Sequence, residues 1–333
     1  MELKVSVVVT VKDDKAGITR LMEALEKQTV RPDEVIIVES GRQTNNFIKD
    51  SPWLTPRRIL SVDCSRGKGR NIGVGAARNE VVAVTDAGCR PHKDWIQKMV
   101  GVIYKGRALG AARIVAAGGY RVAAKTELQE IMAHFLVPRD FFEETPRLGG
   151  ESPLPASRSI MFTKKAWEAV GGYPEEAVSG AEDLEFSRRL ATHPDVKMIY
   201  CPEAVVDWEP PASLKEFFRD IVKHTRGNVE VGYWPHLWRN LTVMGRWGAF
   251  VIWPWLGAGY LVWILGKFGK LGKFGKFGRV KMALWLPVAQ VAADGGVIAG
   301  LIIGLMAKIA NVDHIKVRPC RGKVGPWEPK DGL

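Results

Sequence analysis

The residues able to do chemistry in this chain gather where apolar runs end. Asp13 and Asp14 follow LKVSVVVTV (3–11), and Glu39 closes EVIIVE (34–39). Asp63 follows the short run 58–62, and Asp86 follows VVAVT (81–85). Between the last two lies SRGKGRNIGVGAARN (65–79), where Arg66, Lys68 and Arg70 stand among glycines. Cations beside closely approaching backbone amides suit a nucleotide diphosphate, because both donate to phosphate oxygens. Further on, GAEDLEFSRRL (180–190) puts Glu182, Asp183 and Glu185 at a helix start. A carboxylate there can take a proton from an acceptor hydroxyl, or simply favour the helix dipole.

The elements that must hold these groups follow from periodicity. Strongly β-branched runs without alternation at 3–11 and 34–39 predict strands buried on both faces, with shorter strands at 58–62 and 81–85. Ile18, Leu21, Met22 and Leu25 form a helical stripe between the first two. Strands alternating with helices predict an α/β fold with a mainly parallel sheet covered on both faces, whose ligands bind at the carboxyl ends of the strands. A dinucleotide fold needs its glycine fingerprint directly after the first strand. Here Gly67, Gly69 and Gly73 come much later, which argues against a dehydrogenase. No G-x-x-x-x-G-K-[ST] loop is present, so an ATPase is disfavoured. Cys64, Cys89, Cys201 and Cys320 are widely spaced with no C-x-x-C pair, which points to neither structural zinc nor a disulfide framework.

In order along the chain, VSVVVTVKDD, DEVIIVESG, GKGRNIGVGAARNEVVAVTDAG, SRSIMFTKKAWEAVGGYPE and GAEDLEFSRRL resemble the family-2 glycosyltransferases of the GT-A fold. The five stretches cover roughly residues 4–192. The resemblance implies one mixed sheet, nucleotide half first and acceptor half second, and transfer of a sugar from a nucleotide donor with inversion. It places Glu39 against the base, with Lys12 and Asp13 on the loop beneath. It sets the Arg70-Asn71 pair against the nucleotide and Asp86 at the first position of a D-x-D motif facing ribose and the metal-bound diphosphate. Gly88 stands where the commoner motif has its second Asp, so the implied Mn2+ (or Mg2+) would rest on Asp86 with diphosphate oxygens and water, or on a further residue. Asp183, beside Glu182, takes the position of the base. In His224-Thr225-Arg226-Gly227, Arg226 is the candidate second diphosphate clamp. His224 reads more simply as a solvated helix-end residue. The stretch 138–155, with four prolines and Gly149-Gly150, reads as a lid over the donor site.

The C-terminal third differs in kind. From Leu241 onward 13 basic residues face four acids, which is nine of the chain's net charge of +12. This split disfavours a uniformly basic nucleic-acid binder and favours a near-neutral catalytic body on a cationic base. SLKEFFRDIVKHTRGNVEVGYW (213–234) predicts an amphipathic helix with Leu214, Phe217, Phe218, Ile221, Val222 and Thr225 on one face. WGAFVIWPWLGAGYLVWIL (247–265) is uncharged, and as a helix would measure about 28 Å, close to the ~30 Å hydrocarbon core. A second apolar segment, 282–307, is interrupted only by Asp294. That residue is expected to face protein, paired with Arg246 or Lys281, or to sit at a helix break near Gly295-Gly296. Six tryptophans between 234 and 263 suit an interfacial belt. KFGKLGKFGKFG (267–278) reads as an interfacial segment on anionic headgroups or a solvated loop. A single crossing at 247–265 would put that basic loop outside. A break at Pro254, giving three helices, would keep it inside.

The expected organisation is a GT-A catalytic domain over 1–211, an interface helix over 212–235, and a membrane domain of two or three helices over 236–310. A basic tail, 311–333, completes it. The expected protein sits multi-pass in the cell membrane with its catalytic domain on the cytoplasmic face. By resemblance to dolichyl-phosphate mannose synthases, the donor is GDP-mannose, with UDP-sugars open, and the acceptor is a polyprenyl or dolichyl phosphate or a saccharide linked to it. The alternatives are a processive polysaccharide synthase, which the absence of Q-x-x-R-W disfavours, and an inactive nucleotide-sugar-binding scaffold.

Overall fold

A computed structural model describes residues 3–40, 53–136, 154–175, 180–232, 234–271 and 279–310. The segment expected to form a lid falls almost wholly outside them, as do the basic tail and the second half of the Lys-apolar-Gly repeat.

Eight strands form one sheet: β1 (Val5–Val11), β2 (Glu34–Glu39), β3 (Arg57–Ser61), β4 (Val81–Asp86), β5 (Cys89–Pro91), β6 (Ile114–Val122), β7 (Ile160–Thr163) and β8 (Lys197–Trp208). Their spatial order is β3-β2-β1-β4-β7-β6-β8-β5. The first four are parallel, β7 runs antiparallel to both neighbours, and β8 lies parallel to β6. The order reverses between β1 and β4, the kind of switch point where a crevice opens beyond the carboxyl ends. Register fixes what meets there: Val11 pairs with Glu39, and Thr10 with Asp86.

Both faces of the sheet are buried, which is why β1 shows no alternation. Val5, Val7 and Val9 pack against α1 (Lys15–Glu26) and α3 (Trp95–Ala108), while Val8, Ile36 and Val84 pack on the other face with Val74 of α2 (Arg66–Ala76) and Phe186. The glycines of α2 permit this approach. A Cβ at Gly73 would stand 2.4 Å from Val8 Cγ1, and one at Gly67 2.3 Å from the Pro174 carbonyl. Gly73 therefore serves helix-on-sheet packing, and Gly67 admits the backbone of the 173–175 loop. Completing the body are α4 (Glu127–Leu136), α5 (Lys164–Ala169) and α6 (Glu182–Thr192).

The C-terminal part is helical: α7 (Leu214–Val231), α8 (Trp234–Ile252), α9 (Trp255–Leu271) and α10 (Arg279–Ile309). Ser213 caps α7 by accepting from the Glu216 amide, Glu216 accepts in return from the Ala212 amide, and left-handed Gly232 ends the helix. α10 lies along α7 through a stripe of small residues. A Cβ at Gly300 would meet Thr225 Cβ and the Val222 carbonyl at 2.7 Å, and Gly296 and Gly304 touch Ile221 and Val229 in the same way. The Gly295-Gly296 pair thus does not break the helix; it admits a neighbour.

The apolar run 247–265 is divided at Trp253-Pro254, because proline lacks the amide that would continue α8. Neither piece is then a long apolar rod. Among the described residues one helix, over Leu284–Ile309, is long and apolar enough to cross a membrane, whereas the sequence shows two apolar segments of that length. α9 continues to Leu271, into the first residues of the Lys-apolar-Gly repeat. Asp294 is 3% exposed and heavily partnered. Arg246 Nη2 (2.7 Å), Tyr260 Oη (2.8 Å) and Trp247 Nε1 (3.0 Å) donate to its Oδ2, and Gln290 Nε2 (2.9 Å) donates to Oδ1. The expected Arg246 pairing is therefore present, and it ties α8, α9 and α10 together.

Candidate active site

Asp86 ends β4 with a side chain 28% exposed, and Arg70 Nη2 donates to its Oδ1 at 2.9 Å. The same guanidinium, itself 1% exposed, reaches Glu182 Oε1 through Nη1 at 2.9 Å, and Arg66 adds a longer contact to Glu182 at 3.8 Å. Arg70 also lies over the Tyr173 ring, 5.2 Å from its centroid. One buried cation thus joins the sheet rim to the head of α6. Burial alone would raise Asp86, but Arg70, with Arg66 and Arg158, overcomes it and holds the carboxyl at about 2. Glu182 is held ionised for the same reason.

Asp183 behaves oppositely. Burial, then the adjacent Glu182 carboxylate, push it above the usual carboxylate range against the pull of Arg70 and Arg158. It lines a cavity of about 690 Å³ that is also bordered by Arg158, Tyr120, His224 and Asn228. A carboxylate whose proton affinity is raised and which opens on a cavity is suited to accept a proton. Its neighbour Glu182, expected as part of a catalytic pair, is instead 1% exposed and occupied by Arg70. Two carboxylates in contact are driven apart by their surroundings, one structural and one available.

Other expected residues are distributed unevenly. Lys12 and Asp13 are exposed on the loop after β1, where Asp13 holds a left-handed φ of 49°. Glu39 is 1% exposed at the end of β2. Arg66 is about half exposed at the start of α2, and Lys68 lies 3.6 Å from Glu175. Asn71, expected against a nucleotide together with Arg70, is turned inward. Its Nδ2 donates to the Tyr173 carbonyl and Glu175, and its Oδ1 accepts from the Tyr173 amide and Trp167 Nε1. It fastens the 173–175 loop. Arg226 pairs with Glu230 at 2.9 Å, one turn along α7, and is absent from the cavity wall. The geometry does not bring it to the site as a clamp.

Two residues enter that sequence reasoning missed or undervalued. Arg158, just before β7, lies with its guanidinium 4.3 Å from the Trp208 ring centroid and 5.1 Å from that of Tyr120. Its charge acts on both Asp86 and Asp183. The only sequence signal was a charge immediately preceding a fully buried strand. His224, read as a solvated helix end, borders the cavity. Its side chain is exposed at the cavity wall, where the neighbouring cations Arg158, Lys223 and Arg66 disfavour its protonation.

Residues 6–171, which carry β1 through β7 and with them Asp86 and Arg158, match the model of Glycosyl transferase family 2. The chain belongs to this family. Glycosyltransferase AglE of Haloferax volcanii is 22% identical over 237 residues, 68% of this chain and 73% of the relative. Mannosyltransferase PcManGT from Pyrobaculum calidifontis, solved in complex with GDP-Man and Mn2+, aligns with a TM-score of 0.58 at 17% identity over 92% of this chain and 88% of its own. S. aureus TarS 1–349 in complex with UDP-GlcNAc gives 0.52 at 14% identity over 93% and 92%. The chain spans 40% of a longer S. aureus TarS chain. These likenesses show the GT-A fold. In this family-2 glycosyltransferase, the switch-point rim and the head of α6 therefore form the two sides of the candidate active site.

Proposed function

We propose that this chain is a membrane-attached, inverting glycosyltransferase that moves a hexose from a nucleotide-diphosphate donor to a lipid-borne acceptor. One observation carries the reading: Arg70 joins Asp86 on the sheet rim to Glu182, which holds a donor-side aspartate beside the helix start that carries the candidate base Asp183. GDP-mannose is the favoured donor, with UDP-sugars next. Structural relatives in complex with GDP-Man and with UDP-GlcNAc support this choice of class.

Lys12, Asp13 and Glu39 mark the nucleotide end, and the half-exposed Arg66 can reach a diphosphate. Among the described residues no group of three or more His, Cys, Asp or Glu side chains could hold a metal. The part-exposed, fully ionised Asp86 nevertheless fits Mn2+ or Mg2+, since hard cations in such sites rely on one or two carboxylates and draw their remaining ligands from substrate phosphates and water. Asp86 would hold the ion, which when bound neutralises charge on the departing diphosphate. On the other side, Asp183 takes the proton of an acceptor hydroxyl as its oxygen attacks the anomeric carbon from the face opposite the diphosphate, and the configuration inverts. Arg158, stacked and held, offers positive charge where the leaving group accumulates negative charge.

Attachment to a bilayer is supported by the apolar α10 and by exposed large side chains along α8 and α9, among them Trp238, Trp253, Trp255 and Trp263. The catalytic body would then stand at headgroup depth, on the cytoplasmic face, with 1–211 as its domain. The deciding assay incubates the detergent-purified chain with Mn2+, GDP-mannose or UDP-hexoses, and polyprenyl phosphate or a polyprenyl-linked saccharide, and follows nucleotide release and labelled lipid. Absence of both hydrolysis and transfer with every nucleotide sugar would sink the enzyme reading and leave the non-catalytic scaffold that Gly88 favours.

A further inference from the structure

The cavity does not stop at Asp183. Its wall continues along α7 from His224 to Asn228, one turn or about 6 Å further, and then onto α8 and α10 through His236, Arg239, Asn240 and Gln290. Asn228 Oδ1 accepts from His236 Nδ1 at 3.2 Å, which fixes α8 against α7 at this end. Two groups there are left to act on a ligand. Asn240 is 3% exposed, and its Nδ2 has no hydrogen-bond partner, an expensive state for a buried donor. Arg239 forms no ion pair among the described residues. The acid that also lines this end, Asp294, is already satisfied by Arg246, Trp247, Tyr260 and Gln290. The far end therefore presents donors without a competing free carboxylate, next to the apolar side chains Val243, Ala293 and Val297.

We propose that this end is a seat for the phosphate or diphosphate of the lipid acceptor, with Arg239 and the Asn240 amide as its donors. The proposal rests on the transferase reading of the Asp183 end and sharpens it. A phosphate seated on α8, with the reacting oxygen at Asp183, leaves room between them for sugar, so the acceptor is a lipid-linked saccharide whose attacking group is a hydroxyl. An oxygen lone pair of the phosphate accepts from Asn240 Nδ2, and the guanidinium fork takes two others. The apolar wall beside them accommodates the start of the lipid chain.

The test uses the full chain in detergent with the donor site filled by GDP or UDP and Mn2+, so that added phosphate reports on the second site alone. Geranyl diphosphate and inorganic pyrophosphate are titrated separately. The expected result is saturable binding of geranyl diphosphate, weakened roughly tenfold or more by Arg239→Gln and less by Arg239→Lys, with nucleotide affinity and thermal midpoint preserved. Asn240→Ala should weaken binding as well. Equal affinity of the wild type and Arg239→Gln, or no saturable binding, would overturn the seat. Inorganic pyrophosphate binding as tightly as geranyl diphosphate would overturn its lipid source. Failure of the chain to bind any nucleotide would instead strike the transferase reading, and the Arg239 comparison would still be readable.

Discussion

At the scale of single residues, the site works by giving neighbouring carboxylates different environments. Glu182 spends its charge on Arg70, whereas Asp183 feels burial and Glu182 and is raised. A base must be ionised, so kcat/KM should fall as pH descends through a pKa above the ordinary carboxylate value of about 3.9. A limb at or below that value would remove Asp183 as base. Asp183→Asn keeps the acceptor for the Leu184 amide and should lower kcat by about 10²–10⁴. Because the raised folded-state value means that ionised Asp183 works against folding at neutral pH, the same change should also raise the thermal midpoint there. A retained rate would mean that the attacking oxygen arrives already ionised. At Gly88 a Cβ would meet open space. Gly88→Asp is therefore tolerated sterically and should restore the second carboxylate of the D-x-D pattern, so that half-maximal activity needs less Mn2+. An unchanged metal titration would show that position 88 does not face the ion. Asp86 and the Glu182-Asp183 pair stood out from sequence because each follows or opens an element. Arg158 did not, because its significance lies in Tyr120 and Trp208, which are distant in the chain.

At the scale of elements, the junction of α7 with α10 decides how the catalytic body meets the C-terminal helices. Gly300→Ala would push a methyl group into the Val222 carbonyl and Thr225, which cannot both retreat because they belong to one helix. The expected cost is about 1–3 kcal/mol in stability, read from thermal unfolding in detergent. A raised KM for lipid acceptor should accompany it, since Thr225 and Asn228 line the cavity. An alanine variant with wild-type stability would show that the stripe is not a close contact. The amphipathic stripe of α7 was readable in the sequence, but its partner was not. Gly296, Gly300 and Gly304 repeat every four residues inside an apolar segment, a spacing that tells of a near neighbour without saying which.

At the scale of the whole molecule, a near-neutral α/β body stands on helices whose outward faces are apolar. Val251, Val262 and Ile309 are 83%, 70% and 85% exposed, and an apolar surface of that kind is a binding surface for lipid or protein. If lipid covers it, the expressed chain should sediment with membranes, resist a wash in high salt, and come free in detergent. Release by salt alone would mean that the basic residues, not the apolar helices, hold it, because only electrostatic attachment is screened. The division at Pro254 was foreseen as one option among two. Proline made the break visible, but the loss of a second full-length apolar rod became clear only once α8 and α9 had separate boundaries.

Local order in the chain was enough to determine the strands, their double burial, the rim on which Asp13, Glu39 and Asp86 lie, and the acidic head of α6, since each depends on neighbours a few residues away. Tertiary structure alone decided which of those groups face a ligand. Arg70 and Asn71 look alike in a motif, yet both turn inward, and Arg226 turns to Glu230. Arg158, His224, Arg239 and Asn240, scattered over more than eighty residues, come to share one cavity wall. Direction and burial depend on contacts between distant segments, and those contacts set the charge that each group carries.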